Sequence, residues 1–363
     1  MLLVNLRPSE IPAPKRSNDE EIRMNKSQVA AATTVYPRVV EVFSAEVCSA
    51  GAEASDCIAC SGTTDASVRG LFDTRFGVEG KFDARRCRQC GLEQLYPLPS
   101  AAQLKGLYER YYNFSGEHGT AYTTLRDWFF SSPLYRLWIR LDEDISFHTR
   151  RGNGRLLDVG CNEGRTLKNY ARNGYQADGT ELNEKAAALA RSAGFRVFTG
   201  PLEDYSPSAP YDVAVFSNVL EHALDPSAML ASVRRLLKAD GQVWISCPNS
   251  QSWLRSVFGR WWINWHVPFH ISHFSSVALK DVLQKSGFRI LEMRQITPAL
   301  WVASSLVARL FARPGRPTRQ LRNPLWMFGL VLGCRAFLSP LFYCGNRAGR
   351  GDGLVAVAVK IQD

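Results

Sequence analysis

Two groups of side chains in this sequence have the type and spacing that chemistry requires. Cys57-Ile-Ala-Cys60 and Cys87-Arg-Gln-Cys90 repeat one pattern, with 26 residues between the pairs. Two residues between thiolates let both sulfurs of a turn face one ion, and four sulfurs close a tetrahedral shell, the arrangement zinc prefers. Four thiolates leave no open position, so Cys57, Cys60, Cys87 and Cys90 predict a structural ion. Gly91, directly after the second pair, suits a knuckle that needs positive φ. The other group is built on histidine. Of six histidines, three fall within eight residues (His266, His270 and His273), and a fourth, His222, follows Glu221. Imidazole is the side chain that takes and releases protons near neutral pH. His222 and His270 are the candidate general bases. His273 reads as structural, because Phe274 and Ser275 lead into a helix.

These groups need elements to position them. The cysteine pairs enclose short strands and turns at 71–86 (LFDTRFGVEGKFDARR), so 46–98 reads as a zinc ribbon. Before it, 1–45 mixes charge, Pro and small residues without periodicity and reads as a mobile leader. A helical connector follows over 99–150, and strands then alternate with helices through 151–363. The stretch 155–160 is a buried strand running into a turn, Gly160-Cys161-Asn162-Glu163-Gly164. Gly160 and Gly164 would let backbone approach a ligand closely. A second strand, 175–181, ends in Glu181, a carboxylate that can accept both hydroxyls of a ribose. Next come a helix, a strand at 196–200, the acidic pair Glu203-Asp204, a strand at 211–218, a helix at 225–238 and a strand at 242–249. Such alternation predicts a parallel sheet with ligands at the strand C-termini. The turn is not GxGxxG, so nicotinamide binding fits poorly.

Taken in order, DVGCNEG, Glu181, Glu203-Asp204, YDVAVFSNVLEH and LKADGQVWISCPN resemble the class I S-adenosylmethionine-dependent methyltransferases, closely over 156–249 and more loosely to 297. The resemblance implies an α/β, Rossmann-like fold with a seven-stranded sheet and S-adenosylmethionine as cofactor. It implies that Asp158, Gly160 and Gly164 surround the methionine part and that Glu181 holds the ribose. Leu182 would lie beside the adenine, Glu203 or Asp204 would meet its amino group, and Ser217 and Asn218 would line the floor near the sulfonium. Asn162 stands where the family most often has a second glycine, and Asn tolerates left-handed geometry. The ribbon, GLEQLYPLPSAAQLKGLYERYYNF and WHVPFHISHFS look like bacterial methyltransferases of polysaccharide and glycolipid assembly. Their N-terminal half is similar to zinc-bearing sugar C-methyltransferases. Those enzymes add a further C-terminal domain that is not seen here, which moves the expectation towards O-methylation. His222 or His270 would then remove the acceptor's proton. Alternatively, Glu221, His222 and His270 would hold a divalent metal, as related quinone and RNA-end methyltransferases do with a further carboxylate where this chain has Asn218. The expected acceptor is a hydroxyl of a sugar, glycan or glycolipid. The competing readings are an RNA methyltransferase with the ribbon as reader and a non-catalytic membrane scaffold.

Charge singles out one more region. The 363 residues carry 44 Lys and Arg against 34 Asp and Glu, a net charge of +10. The stretch 299–351 contains eight arginines and no lysine or acidic residue. Apolar segments flank its basic centre, with Trp301 and Trp326 near their starts. This predicts a helical insert, 298–352, between the last two strands, suited to an anionic membrane surface; nucleic acid is the lesser candidate. Arg335 and Pro340 interrupt the longest apolar run, so no plain membrane span is expected. Four tryptophans between Trp253 and Trp265 suggest platforms for rings or a lid over the cofactor. Nine cysteines, an odd number, with no signal-peptide pattern predict a reducing compartment: a cytoplasmic chain, peripheral at the inner face of the membrane.

Overall fold

The computed structural model describes residues 56–111, 128–130 and 132–362. The expected leader, 1–45, lies outside them, as do residues 112–127 of the connector. Around the cysteine pairs run three antiparallel strands, Thr64–Leu71 (β1), Phe82–Cys87 (β2) and Glu93–Tyr96 (β3). Two helices follow, Ala101–Tyr111 (α1) and Pro133–Leu141 (α2). Ser132 caps α2 by accepting from Tyr135 N, and Pro133 at its start has no N–H to satisfy.

The core is a seven-stranded sheet. Its central strand, Arg155–Val159 (β4), has four buried residues in a row, as a strand covered on both faces must. After Arg165–Arg172 (α3), the chain adds Gln176–Glu181 (β5), Glu184–Ser192 (α4) and Arg196–Thr199 (β6) on one side of β4. It then crosses to lay Tyr211–Ser217 (β7), Pro226–Leu236 (α5) and Leu237–Pro248 (β8) on the other. These five strands are parallel. The reversal between β4 and β7 opens a crevice at their C-terminal ends, where ligands bind in such sheets.

The rest of the chain ties the sheet to the ribbon. Trp253–Phe258 (α6) leads through two single 3-10 turns to Ser272–His273 (β9), which pairs with β3 as Glu93↔His273 and Gln94↔Ser272. His273 is therefore structural, as expected, but it serves as a sheet residue joining the two parts. Ser276–Lys285 (α7) and Phe288–Ile296 (β10) follow. β10 pairs with the last strand, Gly353–Lys360 (β11), and β11 with β8, both antiparallel, giving the order β10-β11-β8-β7-β4-β5-β6.

Between β10 and β11 lie Ala299–Phe311 (α8) and Pro324–Arg347 (α9). Arg335 and Pro340 do not interrupt α9, which runs 24 residues unbroken. A proline removes one helical hydrogen bond, a cost that packing on either side can outweigh. Here Cys334 and Phe342 are both buried, and Arg335 reaches Asp142 at 3.8 Å. Two of the four tryptophans depart from the platform reading. Trp262 and Trp265 are fully buried, packed in one cluster with α6 and α8, and so are core residues rather than open platforms. Asp352 pins that segment: its carboxylate accepts from Ser252 Oγ (2.6 Å), Trp262 Nε1 (2.8 Å) and Asn264 Nδ2 (3.2 Å).

Candidate active site

At the end of β4 the turn residues Gly160, Asn162 and Gly164 all have positive φ, at 71°, 51° and 77°. Gly160 N and Cys161 N donate to Thr180 O, which fixes the turn on β5. A Cβ on Gly164 would come within 2.8 Å of Ala190 Cβ. Gly164 therefore serves the packing of α3 on α4, and the close approach to a ligand falls to Gly160 and its neighbours. Asp158 is buried beneath the turn and accepts from Thr166 Oγ1; burial pushes its carboxyl up to about 7. Glu181 ends β5; one oxygen binds the turn, accepting from Asn162 N, and the other accepts from Asn183 N at the start of α4, at 2.9 Å each. A carboxylate has about four lone-pair sites, so two backbone donors leave room for ribose hydroxyls. Leu182 beside it is 67% exposed at the lip. Glu203 and Asp204 lie exposed on a short turn after β6. That turn packs back on α5: Leu202 shares a buried cluster with Val159, Phe216 and Leu230, and Arg235 donates to Glu203 O at 3.4 Å.

The end of β7 gathers the second group. Ser217 Oγ donates to Ser146 Oγ at 3.4 Å. Asn218 has φ 55°, donates its N–H to Ser246 O, and has a buried Oδ1 with no hydrogen-bond partner. Glu221, in the single turn Leu220–His222, is 1% exposed, and neither of its carboxylate oxygens has a hydrogen-bond partner. His222 and His270 complete the set: one ligand atom from each of Glu221, His222 and His270 lies within 4.8 Å of the others. His222 Nδ1 sits 2.9 Å from Phe269 O and 2.8 Å from the Tyr108 hydroxyl. His270 Nδ1 sits 2.8 Å from Asn264 O. A carbonyl only accepts, so each Nδ1 carries the proton and each Nε2 presents a lone pair.

Burial sets the charges here. It lowers His222 to about 4 and His270 well below the usual imidazole range, with the Arg75 guanidinium acting in the same direction on both. It pushes Glu221 up to about 8. The imidazoles are therefore neutral at physiological pH, each with a lone pair to offer. An unpartnered buried carboxylate is costly unless something fills the space before it. Two imidazole nitrogens and a carboxylate form a donor set that suits a divalent cation, and the Asn218 oxygen is a further acceptor nearby in sequence.

The side chains packed around this cluster come from parts of the chain that are far apart in sequence. Phe76, in the ribbon loop after β1, lies edge-on to Phe269 (5.5 Å) and His266 (5.8 Å). Tyr108 and Tyr111 of α1 contact Phe269 and Phe76. The one signal available was the aromatic run at 108–112, with Tyr108 and Tyr111 one helical turn apart.

The four cysteines form a separate cluster. Cys57 Sγ lies 3.6 Å from Cys90 Sγ and Cys60 Sγ 3.5 Å from Cys87 Sγ, and all four sulfurs fall within 4.8 Å. Zinc–sulfur bonds of about 2.3 Å in a tetrahedron require sulfurs about 3.8 Å apart, so the cluster fits zinc. Both knuckles end in left-handed residues, Ser61 and Gly91.

A family model described as a methyltransferase domain matches residues 134–293. Among curated proteins, a ubiquinone biosynthesis O-methyltransferase of Yersinia enterocolitica is 30% identical over 147 residues, covering 38% of this chain and 61% of its own. One from Thiobacillus denitrificans is 33% identical over 117 residues, covering 29% and 50%. The chain thus spans about half to three fifths of these relatives. Among solved structures, a cyclopropane synthase of Mycobacterium tuberculosis aligns with TM-score 0.42 at 15% identity, covering 61% of this chain and 84% of that one. A possible histamine N-methyltransferase of Thermotoga maritima aligns with TM-score 0.41 at 18% identity, covering 71% and 99%. The fold is the α/β, Rossmann-like methyltransferase fold with a mostly parallel sheet of seven strands.

Proposed function

We propose that the chain transfers a methyl group from S-adenosylmethionine to a hydroxyl oxygen. The observation that carries this reading is the convergence of Glu221, His222 and His270 at the end of β7, across the sheet's switch point from the glycine turn. Bound S-adenosylmethionine supplies an electrophilic methyl on a sulfonium. The residues placed to hold it are Asp158, the backbone of 160–164, and Glu181. Ser217 and Asn218 stand at the floor between cofactor and acceptor. The acceptor oxygen forms a bond to the methyl carbon as the carbon–sulfur bond breaks, and its proton passes to the Nε2 of His222 or His270. Alignment supplies much of the acceleration in such a displacement. A second reading is favoured by the unpartnered Glu221: Glu221, His222 and His270 hold a divalent cation, which would lower the pKa of the hydroxyl.

The partly exposed aromatics Phe76, Tyr108 and Tyr111, packed on the buried Phe269, support a ring-shaped acceptor, since sugar and phenol rings both pack on aromatic side chains. The sugar or glycolipid hydroxyl is our reading; the names of the relatives support oxygen as the receiving atom and make a phenol the rival. The four cysteines hold a structural zinc that keeps Phe76 over the pocket. Two measurements test this together. Calorimetry shows whether S-adenosylmethionine binds at all; absence of binding would leave only a scaffold. Transfer of labelled methyl into fractionated cell extract should mark polysaccharide or lipid. Label confined to RNA would overturn the acceptor.

A further inference from the structure

The helix Pro324–Arg347 is long and apolar enough to cross a membrane, yet only 22% of its most apolar window is buried. Met327, Val331, Cys334 and Phe342 make up its buried stripe, packed with Val302, Ala303 and Val307 of α8. That stripe fixes the helix flat along the protein. Much of the remainder faces outward, with large apolar side chains exposed: Leu325 (84% exposed), Trp326, Phe328, Leu332, Phe337 (83%) and Leu341. Sequence gave no hint of a second contributor. On α2, Leu134, Leu137 and Leu141 form an exposed stripe at i, i+3, i+7, while Tyr135 and Ile139 point inward. The two helices touch through Arg335 and Asp142 and share one cluster through Trp138, Leu330 and Leu338. A soluble monomer rarely leaves so much apolar surface bare.

Charge selects the occupant. Arg309, Arg313, Arg316, Arg319 and Arg322 are exposed around the start of α9, Arg347 and Arg350 around its end, and Arg136 and Arg140 on α2. No acidic residue occurs over 299–351 or within α2. A second copy docked on this face would set arginine against arginine. We propose that the exposed faces of α9 and α2 form a monotopic docking surface for an anionic lipid bilayer, with apolar side chains entering the headgroup boundary and arginines on lipid phosphates. This does not depend on the methyl-transfer reading.

Full-length chain is sedimented with vesicles of phosphatidylcholine alone and of phosphatidylcholine with phosphatidylglycerol. It should bind the anionic vesicles, with binding weakened by salt. The double variant Leu325→Ser/Phe337→Ser changes only exposed side chains and should lose about tenfold in partitioning, with circular dichroism unchanged. Arg319→Gln/Arg322→Gln should reduce the preference for anionic over neutral vesicles by about tenfold. Failure of the full chain to bind either vesicle overturns the proposal. So does a dimer, seen by light scattering, that the Leu325→Ser/Phe337→Ser variant dissociates while vesicles stay unbound.

Discussion

The cysteine cluster and the Glu221–His222–His270 cluster both offer metal-type donors, and they are built in opposite ways. The four sulfurs face one another at 3.5–3.6 Å in contact pairs, and backbone hydrogen bonds of the two knuckles, such as Ser61 N to Cys57 O and Gly91 N to Cys87 O, close the turns that carry them. Such a shell closes on its ion. The second cluster takes its members from the end of β7 and from a loop almost fifty residues later, and it leaves the Glu221 oxygens without a hydrogen-bond partner. Local spacing makes a closed structural site; distant elements meeting at the end of a central strand make one whose donors keep capacity for a further group.

Changing the open cluster should show the largest effect. Glu221→Gln is expected to slow transfer by about 10²–10³-fold, an order typical of a lost acid–base or metal-ligand role. The thermal midpoint and the S-adenosylmethionine affinity should stay as they were. A lower midpoint would make Glu221 structural and end the contrast. Removal of loosely held metal by EDTA, followed by activity and a zinc-sensitive dye, divides the clusters further. The cysteine-bound ion should stay in place, one per chain, until a mercurial releases it, whereas any cation at Glu221 should leave early.

Next in size is the closed cluster itself. Cys90→Ser should lower stability by several kcal/mol, as expected when a structural metal shell is broken. Activity should fall with it, because Phe76 of the ribbon packs on Phe269 and His266 beside the open cluster. If activity persists in the surviving folded fraction, the ribbon is only an appendage. Glu181→Ala should then weaken cofactor binding by about tenfold or more, read by calorimetry, since each hydrogen bond to a charged group contributes about 1.5–3 kcal/mol.

The smallest effect is a pH dependence at Asp352, which belongs to neither cluster. Burial raises its carboxyl to about 6 from 3.8, against the pull of Ser252 and Trp262. A raised acid favours the folded state when protonated. Its contribution is complete below the unfolded value and is lost as pH rises through about 6. Between about pH 7 and pH 5 the wild type should therefore gain a few degrees in midpoint relative to Asp352→Asn. An identical pH response would remove Asp352 as the titrating group.

What could be read from the sequence was what neighbours in the chain decide. The CxxC spacing, the turn from Gly160 to Gly164 and the alternation of strands with helices are local patterns, and they placed the cysteines and the cofactor crevice. Glu221 was legible only as an optional metal ligand, because its isolation depends on what fails to approach it in space. Phe76 carries no local mark of function and Tyr108 only its spacing from Tyr111, and long-range contacts, the pairing of β3 with β9 among them, bring them beside His222 and His266. The tryptophans misled because α8, forty residues further on, covers them.

The β3–β9 ladder also has a consequence in time. It joins residue 93 to residue 273, about 180 positions later in the chain. A ribosome adding about 5–20 residues per second needs on the order of ten to forty seconds to deliver the second strand. Throughout that interval β3 is an edge strand with free N–H and C=O groups, open to pairing with other nascent chains. The cysteines can already have closed on their ion by then, so the ribbon would wait as a folded but sticky intermediate. The rate of synthesis, and chaperones that shield that edge, should influence the yield of this protein more than its final stability does.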